Sequence, residues 1–537
     1  MSYKVASALL IASLLVVGAI CALLVVFLPD QQTEEKEPEP RNCSPKYFSY
    51  SSNVCVCNST YCDVVPTIPT LNSGEAVSYT SSKAGKRFEK MEHSFQSESN
   101  TSPVSFSINS STRYQTLKGF GGAFTDAAGI NIFSLPTDAQ EHLMRSYFSS
   151  DGIEYNVGRI PMGGCDFSTR PYTYNDDSPG DFEMKNFSLT LEDFVYKIPL
   201  IHRAVAMNAR KMSFFASPWS APSWMKKNNA LWGGNGFLKG VAGDENHKAW
   251  ALYFSRFIEE YERNGVQLWA VTAQNEPIDG FAKNFSFNCM GFTPEQQRDF
   301  IKMDLGPGLH SRGHDDVILM IGDDQRLVLP SWPQVVLSDP DAAKYISGIG
   351  VHWYMDWITD PNRLTKTHEN FTDYFIFGTE ACASAMPWVD PKVRLGHWES
   401  GQRYSEDILE DLNHWVTGWT DWNLALDMGG GPNWANNFVD SPIIVNKEKG
   451  EFYKQPMFYH MGHFSKFLGE GSIRIEVVGP PQDGDLKYAA FMDGNSIIFV
   501  VLNKSDSIIE AKITDKTLGF LDITIGRYSI QTYTWSR

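Results

Sequence analysis

Basic residues are in deficit in this sequence. Its 537 residues include 46 lysines and arginines against 63 aspartates and glutamates, a formal charge of −17 with histidine neutral. The pI is near 5.2. That balance excludes binding to nucleic acid, or to anionic lipid, by charge alone. Charged residues make up only 20% of the chain, whereas 42% is hydrophobic and 13% aromatic. A disordered chain is thereby excluded, and a large core is allowed. Internal repeats are absent. No C-x-x-C pair occurs, and no G-x-G-x-x-G loop follows the first apolar run. Zinc ribbons and dinucleotide-binding sheets lose their usual signatures with these. Neither a metal nor a cofactor is expected.

Cysteines are few, and four of the eight crowd together at Cys43, Cys55, Cys57 and Cys62. In an exported chain this spacing reads as two local disulfides. Three pairings are possible. A bridge between Cys55 and Cys57 is disfavoured by their closeness, and Cys43–Cys55 with Cys57–Cys62 is the favoured set. Cys165, Cys289 and Cys382 are expected to be free thiols, and Cys21 lies in the leader.

Export is indicated by the start of the chain. Residues 5–28 form one uncharged apolar run, preceded by Lys4 and followed by the acidic stretch EEKEPEP. The pattern fits a secretory signal peptide, and the run is also long enough to stay as a signal-anchor. Either way the rest faces the lumen. Eight N-x-S/T sequons, at Asn42, Asn58, Asn100, Asn109, Asn186, Asn284, Asn370 and Asn503, agree with that compartment.

Through the middle of the chain, apolar runs alternate with amphipathic stretches. The runs are 116–126, 155–166, 212–219, 268–276, 317–324, 346–354, 374–380 and 417–426. Runs apolar throughout suit strands buried on both faces of a parallel sheet. Helices are expected between them. Thr137 to Gln140 reads as a capping box for a helix toward Phe148. Trp250, Phe254, Phe257 and Tyr261 form one stripe. Thr293-Pro294-Glu295 reads as another helix start, and 405–415 and 453–468 as two more helices. Eight such strands with helices predict an α/β fold, a (β/α)8 barrel of the TIM type. The ends differ. Residues 69–115 and 470–537 read as a single β-sandwich, and 42–68 with 424–452 as a small disulfide-bonded β-sheet. The barrel then takes 116–423 and 453–469. Residues 1–29 are the signal peptide or anchor, and 30–41 a linker.

In such a barrel, reactive groups sit at the C-terminal ends of strands. The fourth run ends at Glu276 after Asn275, within WAVTAQNEP; the seventh ends at Glu380, within GTEAC. Two carboxylates facing one pocket are what glycoside hydrolysis requires. One protonates the leaving oxygen, and the other attacks the anomeric carbon or activates water. Like charges that close push one pKa up, which defines the acid. Asn275 could donate its amide to a sugar hydroxyl.

These segments, with KGFGGAFTDAAGINI, RIPMGGCDFSTRPYTY, ASPWSAPSW, GFTPEQQRDFI, DDQRLVLP, GIGVHWYMDW, GWTDWNLAL, GGPNWANNFVDSPIIV and FYKQPMFYHMGHFSKF, closely resemble the glucosylceramide-cleaving members of glycoside hydrolase family 30. The resemblance runs from residue 43 nearly to the end. It implies a retaining β-glucosidase with Glu276 as acid/base and Glu380 as nucleophile, acting on glucosylceramide at a membrane surface. It also implies a lysosomal lumen, a saposin activator and anionic lipid. Asp166, Trp219 and Trp422 match residues that hold glucose. Arg159, His352, Tyr354 and Asn437 match positions around the glutamates. Phe167, Phe287 and Trp434 match an aromatic rim, and Gln325 a residue near the pocket mouth. The family's cysteine pairing agrees with the favoured one. Other activities known in the family, on steryl glucosides, β-1,6-glucans or xylans, are the alternative, as is a non-catalytic carbohydrate-binding role. One departure is Phe285, where the mammalian members have Tyr; loss of that hydroxyl is expected to move the pH optimum. At a lumenal pH near 5 the twelve histidines are expected to charge, easing repulsion from acidic lipid.

Overall fold

A computed structural model describes residues 41–98 and 102–537. The leader and most of the linker lie outside the described residues. Among those described, no helix is long and apolar enough to cross a membrane.

Eight parallel strands close into a barrel. They are β1 (Gly119–Ala123), β2 (Val157–Met162), β3 (Ser213–Pro218), β4 (Ala270–Thr272), β5 (Ile318–Gln325), β6 (Ile346–His352), β7 (Phe375–Glu380) and β8 (Val416–Asn423). Each pairs with the next, and β8 pairs with β1 through Gly418 and Gly119. All eight predicted runs supply a strand. The closing seam is tight: a Cβ on Gly418 would sit 2.2 Å from the Gly119 carbonyl oxygen. Only glycine fits there. Val157, Phe215, Ala270, Met320 and Phe377 fill the barrel interior, all buried.

Helices cover the outside. Glu245–Arg263 buries Trp250, Phe254, Phe257 and Tyr261, the predicted stripe. Thr293 caps the helix Pro294–Phe300 in a full capping box with Gln296. The other expected capping box is not formed. Thr137 is already the first helical residue of Thr137–Phe148, behind Pro136, and no side chain caps that end. The Gln140 amide donates instead to the carbonyls of Phe133 and Leu135. The helix expected over 405–415 begins earlier, as Trp398–Asn413, and the last is Pro456–Ser465, because Tyr453 belongs to a strand.

The two ends meet in a nine-stranded sheet whose order interleaves Glu75–Ser82, Glu89–Ser94 and Val104–Thr116 with the six C-terminal strands. It curls until Gln96 bridges to Phe520, around an apolar core that includes Phe106, Phe499, Tyr533 and Trp535. A separate five-stranded sheet joins Asn53–Cys57 to Glu451–Lys454. It carries the bridges Cys43–Cys55 and Cys57–Cys62, and Cys165, Cys289 and Cys382 are free and buried.

Burial removes one sequon and overturns one expectation. Asn503 is fully buried, and its amide donates to the Ser507 and Gly526 carbonyls, so it offers no glycan site in the folded chain. Nor do all twelve histidines charge near pH 5. Burial pushes His463 down to about 3 and His460 well below the usual range, so both stay neutral there.

Candidate active site

Irregular backbone marks the C-terminal mouth. The ladders of β5, β6, β7 and β8 shift register near their ends, and such bulges re-aim side chains. β4 stops at Thr272, four residues before Glu276. The intervening chain still bonds to both neighbours, Ala273 and Glu276 donating to carbonyls of β5 residue Met320 and of Asp323, and Asn275 to that of Pro218. Glu276 itself has φ +40, left-handed backbone that disfavours a side chain by roughly 1–2 kcal/mol. The turn points it into the cavity.

That cavity has a volume of about 190 Å³. Asp166, Phe167, Trp219, Glu276, Phe287, Tyr354, Glu380, Trp422 and Asn437, all singled out from the sequence, line it together with Asp279 and Phe285. Each glutamate presents a carboxylate oxygen within 4.8 Å of the other's. Trp219 and Trp422 stack with centroids 5.2 Å apart, and Phe167 meets Trp422 edge-on. Trp434 does not line the cavity; its indole donates to the Cys165 carbonyl and its ring packs against Trp232.

Beneath the floor, Arg159 is fully buried and pairs with Glu380. Its second nitrogen donates to Asn275 Oδ1 at 2.8 Å and to Asp323 Oδ2 at 3.1 Å. Tyr354 donates to the other Glu380 oxygen at 2.7 Å. On the opposite side, Gln325 donates to Glu276 Oε1 at 2.8 Å, and His352 Nδ1 lies 3.0 Å from the same oxygen. His352 Nε2 contacts Asp323 at 2.9 Å. Asp166 accepts from the amides of Asn433 and Asn437 at 3.2 and 3.0 Å.

The electrostatics follow from these contacts. Burial alone would discharge His352, yet the Glu380 charge and its hydrogen bonds to Asp323 and Glu276 raise it to about 10. It is an imidazolium at neutral and acid pH. Burial likewise opposes charge on Asp323, but Arg159 and His352 hold it well below the usual carboxylate range. Glu276 is also held low: burial is outweighed by the hydrogen bond and charge of His352 and by a hydrogen bond from Asp279. Burial and the neighbouring Glu276 charge keep Glu380 above the ordinary value, against the pull of Arg159 and His352, so the raised carboxyl of the pair is Glu380 and not Glu276, the reverse of what the sequence led one to expect of the acid. Burial raises Asp166 to about 7. Tyr354 is pushed far above neutrality by burial and stays a donor. Glu276, His352 and Glu380 could in principle offer atoms to a metal. However, both His352 nitrogens are committed, and Arg159 already occupies the cation's place beside Glu380.

The sequence reading passed over three groups. Asp323 links Arg159 to His352 and is fully buried; its signal was the Asp pair closing the fifth run. Asn433 fixes Asp166, and Asp279 lies against Glu276.

A parallel barrel with two glutamates facing one another across an aromatic-walled cavity at its C-terminal mouth defines a glycoside hydrolase. The comparisons agree. Residues 117–468 match the glycosyl hydrolase family 30 TIM-barrel domain, and 471–533 its β-sandwich domain. The chain is 49% identical to mouse lysosomal acid glucosylceramidase over 92% of its own length and 96% of the mouse protein. It is 43% identical to Caenorhabditis elegans putative glucosylceramidase 4, over 89% of this chain and 92% of that one. Among solved structures, SrfJ from Salmonella typhimurium superposes with a TM-score of 0.78 at 25% identity, over 86% of this chain and 100% of SrfJ. This protein belongs to glycoside hydrolase family 30.

Proposed function

We propose that the protein is a retaining β-glucosidase that hydrolyses glucosylceramide to glucose and ceramide by double displacement. The observation that carries this reading is the approach of the Glu276 and Glu380 oxygens to within 4.8 Å. Retaining enzymes keep their carboxyls roughly 5–5.5 Å apart, whereas inverting ones need about 6.5–9.5 Å to admit a water.

In the first step Glu380 attacks the anomeric carbon while Glu276 protonates the glycosidic oxygen, and ceramide leaves. Arg159 and Tyr354 both donate to Glu380, which supports its ionised, attacking form. Once Glu380 is glycosylated its charge is gone. Water then enters, Glu276 takes its proton, and glucose leaves with its configuration retained. Trp219 and Trp422 suit the apolar face of a pyranose. Asp166, held by two asparagine amides, suits its hydroxyls. Asn275 gives its oxygen to Arg159, leaving its amide hydrogens for the hydroxyl beside the reacting carbon.

A lipid substrate requires work at a membrane surface. Exposed apolar side chains on loops near the mouth support this: Phe281, Trp357, Ile358 and Trp388 are each about half exposed or more. A lysosomal lumen, anionic lipid and a saposin activator complete the reading, on the strength of the family resemblance. The test is glucose release at pH 5 from glucosylated ceramide, sterol and oligosaccharides, with and without Glu380→Gly. Hydrolysis of the ceramide glycoside that vanishes with the substitution supports the proposal. Preference for a glucan or xylan would assign another family activity.

A further inference from the structure

Glu276 poses a problem that its own contacts do not solve. A general acid needs a proton, yet the side chain sits against the positively charged His352 and accepts from Gln325. Both contacts favour the carboxylate. The groups facing it are His352 and Gln325 from β6 and β5, Arg159 and Glu380 across the cavity, Asp324 from the end of β5, and Asp279 from its own loop. Asp324 is occupied elsewhere, accepting from the Ile278 and Gln325 backbone amides at 3.1 and 2.7 Å. Asp279 is different. Its side chain hydrogen-bonds Glu276 and lines the same cavity.

Backbone geometry holds it there. The Asp279 amide donates to the Glu276 carbonyl at 2.9 Å, which folds the chain back after the left-handed Glu276. Gly280 pins the turn: a Cβ there would lie 2.1 Å from the Gly291 nitrogen. A hydrogen bond between two carboxyls requires one proton between them. We propose that Asp279 is a positioning residue for the acid step, its carboxyl storing the proton that Glu276 delivers to the glycosidic oxygen. The inference rests on Glu276 being the acid/base. Asp279–COOH hands the pair's single proton to Glu276, which delivers it to the leaving oxygen, and both carboxyls are then ionised. In the second step Glu276 takes a proton from water and passes it back to Asp279, which restores the pair. Burial and the Glu276 charge push Asp279 well above the ordinary carboxyl range, in line with this storage.

The sign of the effect is fixed by charge. An ionised Asp279 beside Glu276 makes the pair's proton harder to lose, so the acid survives to higher pH. Removing the charge moves the alkaline limb of activity downward. The experiment is the pH profile of kcat/KM on glucosylceramide for wild type, Asp279→Asn and Asp279→Glu, with Glu276→Gln alongside. For Asp279→Asn the alkaline limb is expected to fall by about one pH unit. Asp279→Glu is expected to restore the limb. Should Asp279→Asn misfold, Asp279→Glu alone decides, since retention of the wild-type limb is required of it. A uniform loss with an unmoved limb in Asp279→Asn overturns the inference. Wild-type turnover by Glu276→Gln would instead remove the acid/base assignment beneath it.

Discussion

The two sides of the cleft are built differently. Glu380 is the last residue of barrel strand β7, with Arg159 and Tyr354 donating one bond to each of its oxygens. Glu276 stands past the end of β4 on left-handed backbone, and its neighbours are an amide, an imidazolium and another carboxyl. One side is a fixed cradle for a negative charge. The other is a site where a proton can be exchanged. Retaining chemistry needs both: an attacking group that holds still and keeps its charge, and a group that switches between acid and base.

Substitutions can sharpen that contrast. The largest effect is expected on the fixed side, where Glu380→Gly should remove on the order of 10⁴-fold or more of turnover without unfolding the chain. Residual hydrolysis at wild-type rate would refute its role. On the switching side, Glu276→Gln should cost about 10²–10⁴-fold on glucosylceramide. It should cost far less on an aryl glucoside with a very acidic leaving group, and an equal loss on both would speak against a general acid. Tyr354→Phe removes a bond to a charged group worth about 1.5–3 kcal/mol. The expected loss in kcat is roughly 10- to 100-fold, with little change in KM, and a change confined to KM would place the tyrosine in binding instead.

The smallest effect is on stability. Burial raises Asp166 and Asp324 to about 7, and Asp407 and Asp440 to about 6. Unfolded aspartate titrates near 3.9, so the folded chain binds more protons than the unfolded one between about pH 4 and 7. Stability therefore falls as pH rises through that window. His463, pushed down to about 3, and His460, held well below its usual range, work in the opposite sense, weakening the fold as pH drops below about 6.5. The carboxyls outnumber them, and the thermal midpoint at pH 5 should exceed that at pH 7.5 by a few degrees. A lower midpoint at pH 5 would contradict the assignment of these buried protons.

The same contrast explains what could be read from the sequence. The barrel strands were legible because they are runs buried on both faces, such as Gly119–Ala123 and Ser213–Pro218. Glu380 followed directly, as the end of such a run. Glu276 was found through the Asn-Glu-Pro motif, and nothing in periodicity indicated that regular pairing stops at Thr272 or that its backbone turns left-handed. Asp323 and Asp279 escaped because an aspartate's role depends on partners remote in sequence or on loop shape. Asp323 acts through Arg159 and His352, 164 and 29 positions away. The absent cap at Thr137 shows a local motif overridden by a preceding proline, and buried Asn503 shows a motif overridden by packing.

The account turns on whether two glutamates less than a water's reach apart perform a double displacement. The most direct measurement is the proton NMR spectrum of glucose as it is first released from a β-glucoside. The account predicts the β-anomer first, with the α-anomer growing only by mutarotation. Initial release of α-glucose would contradict it.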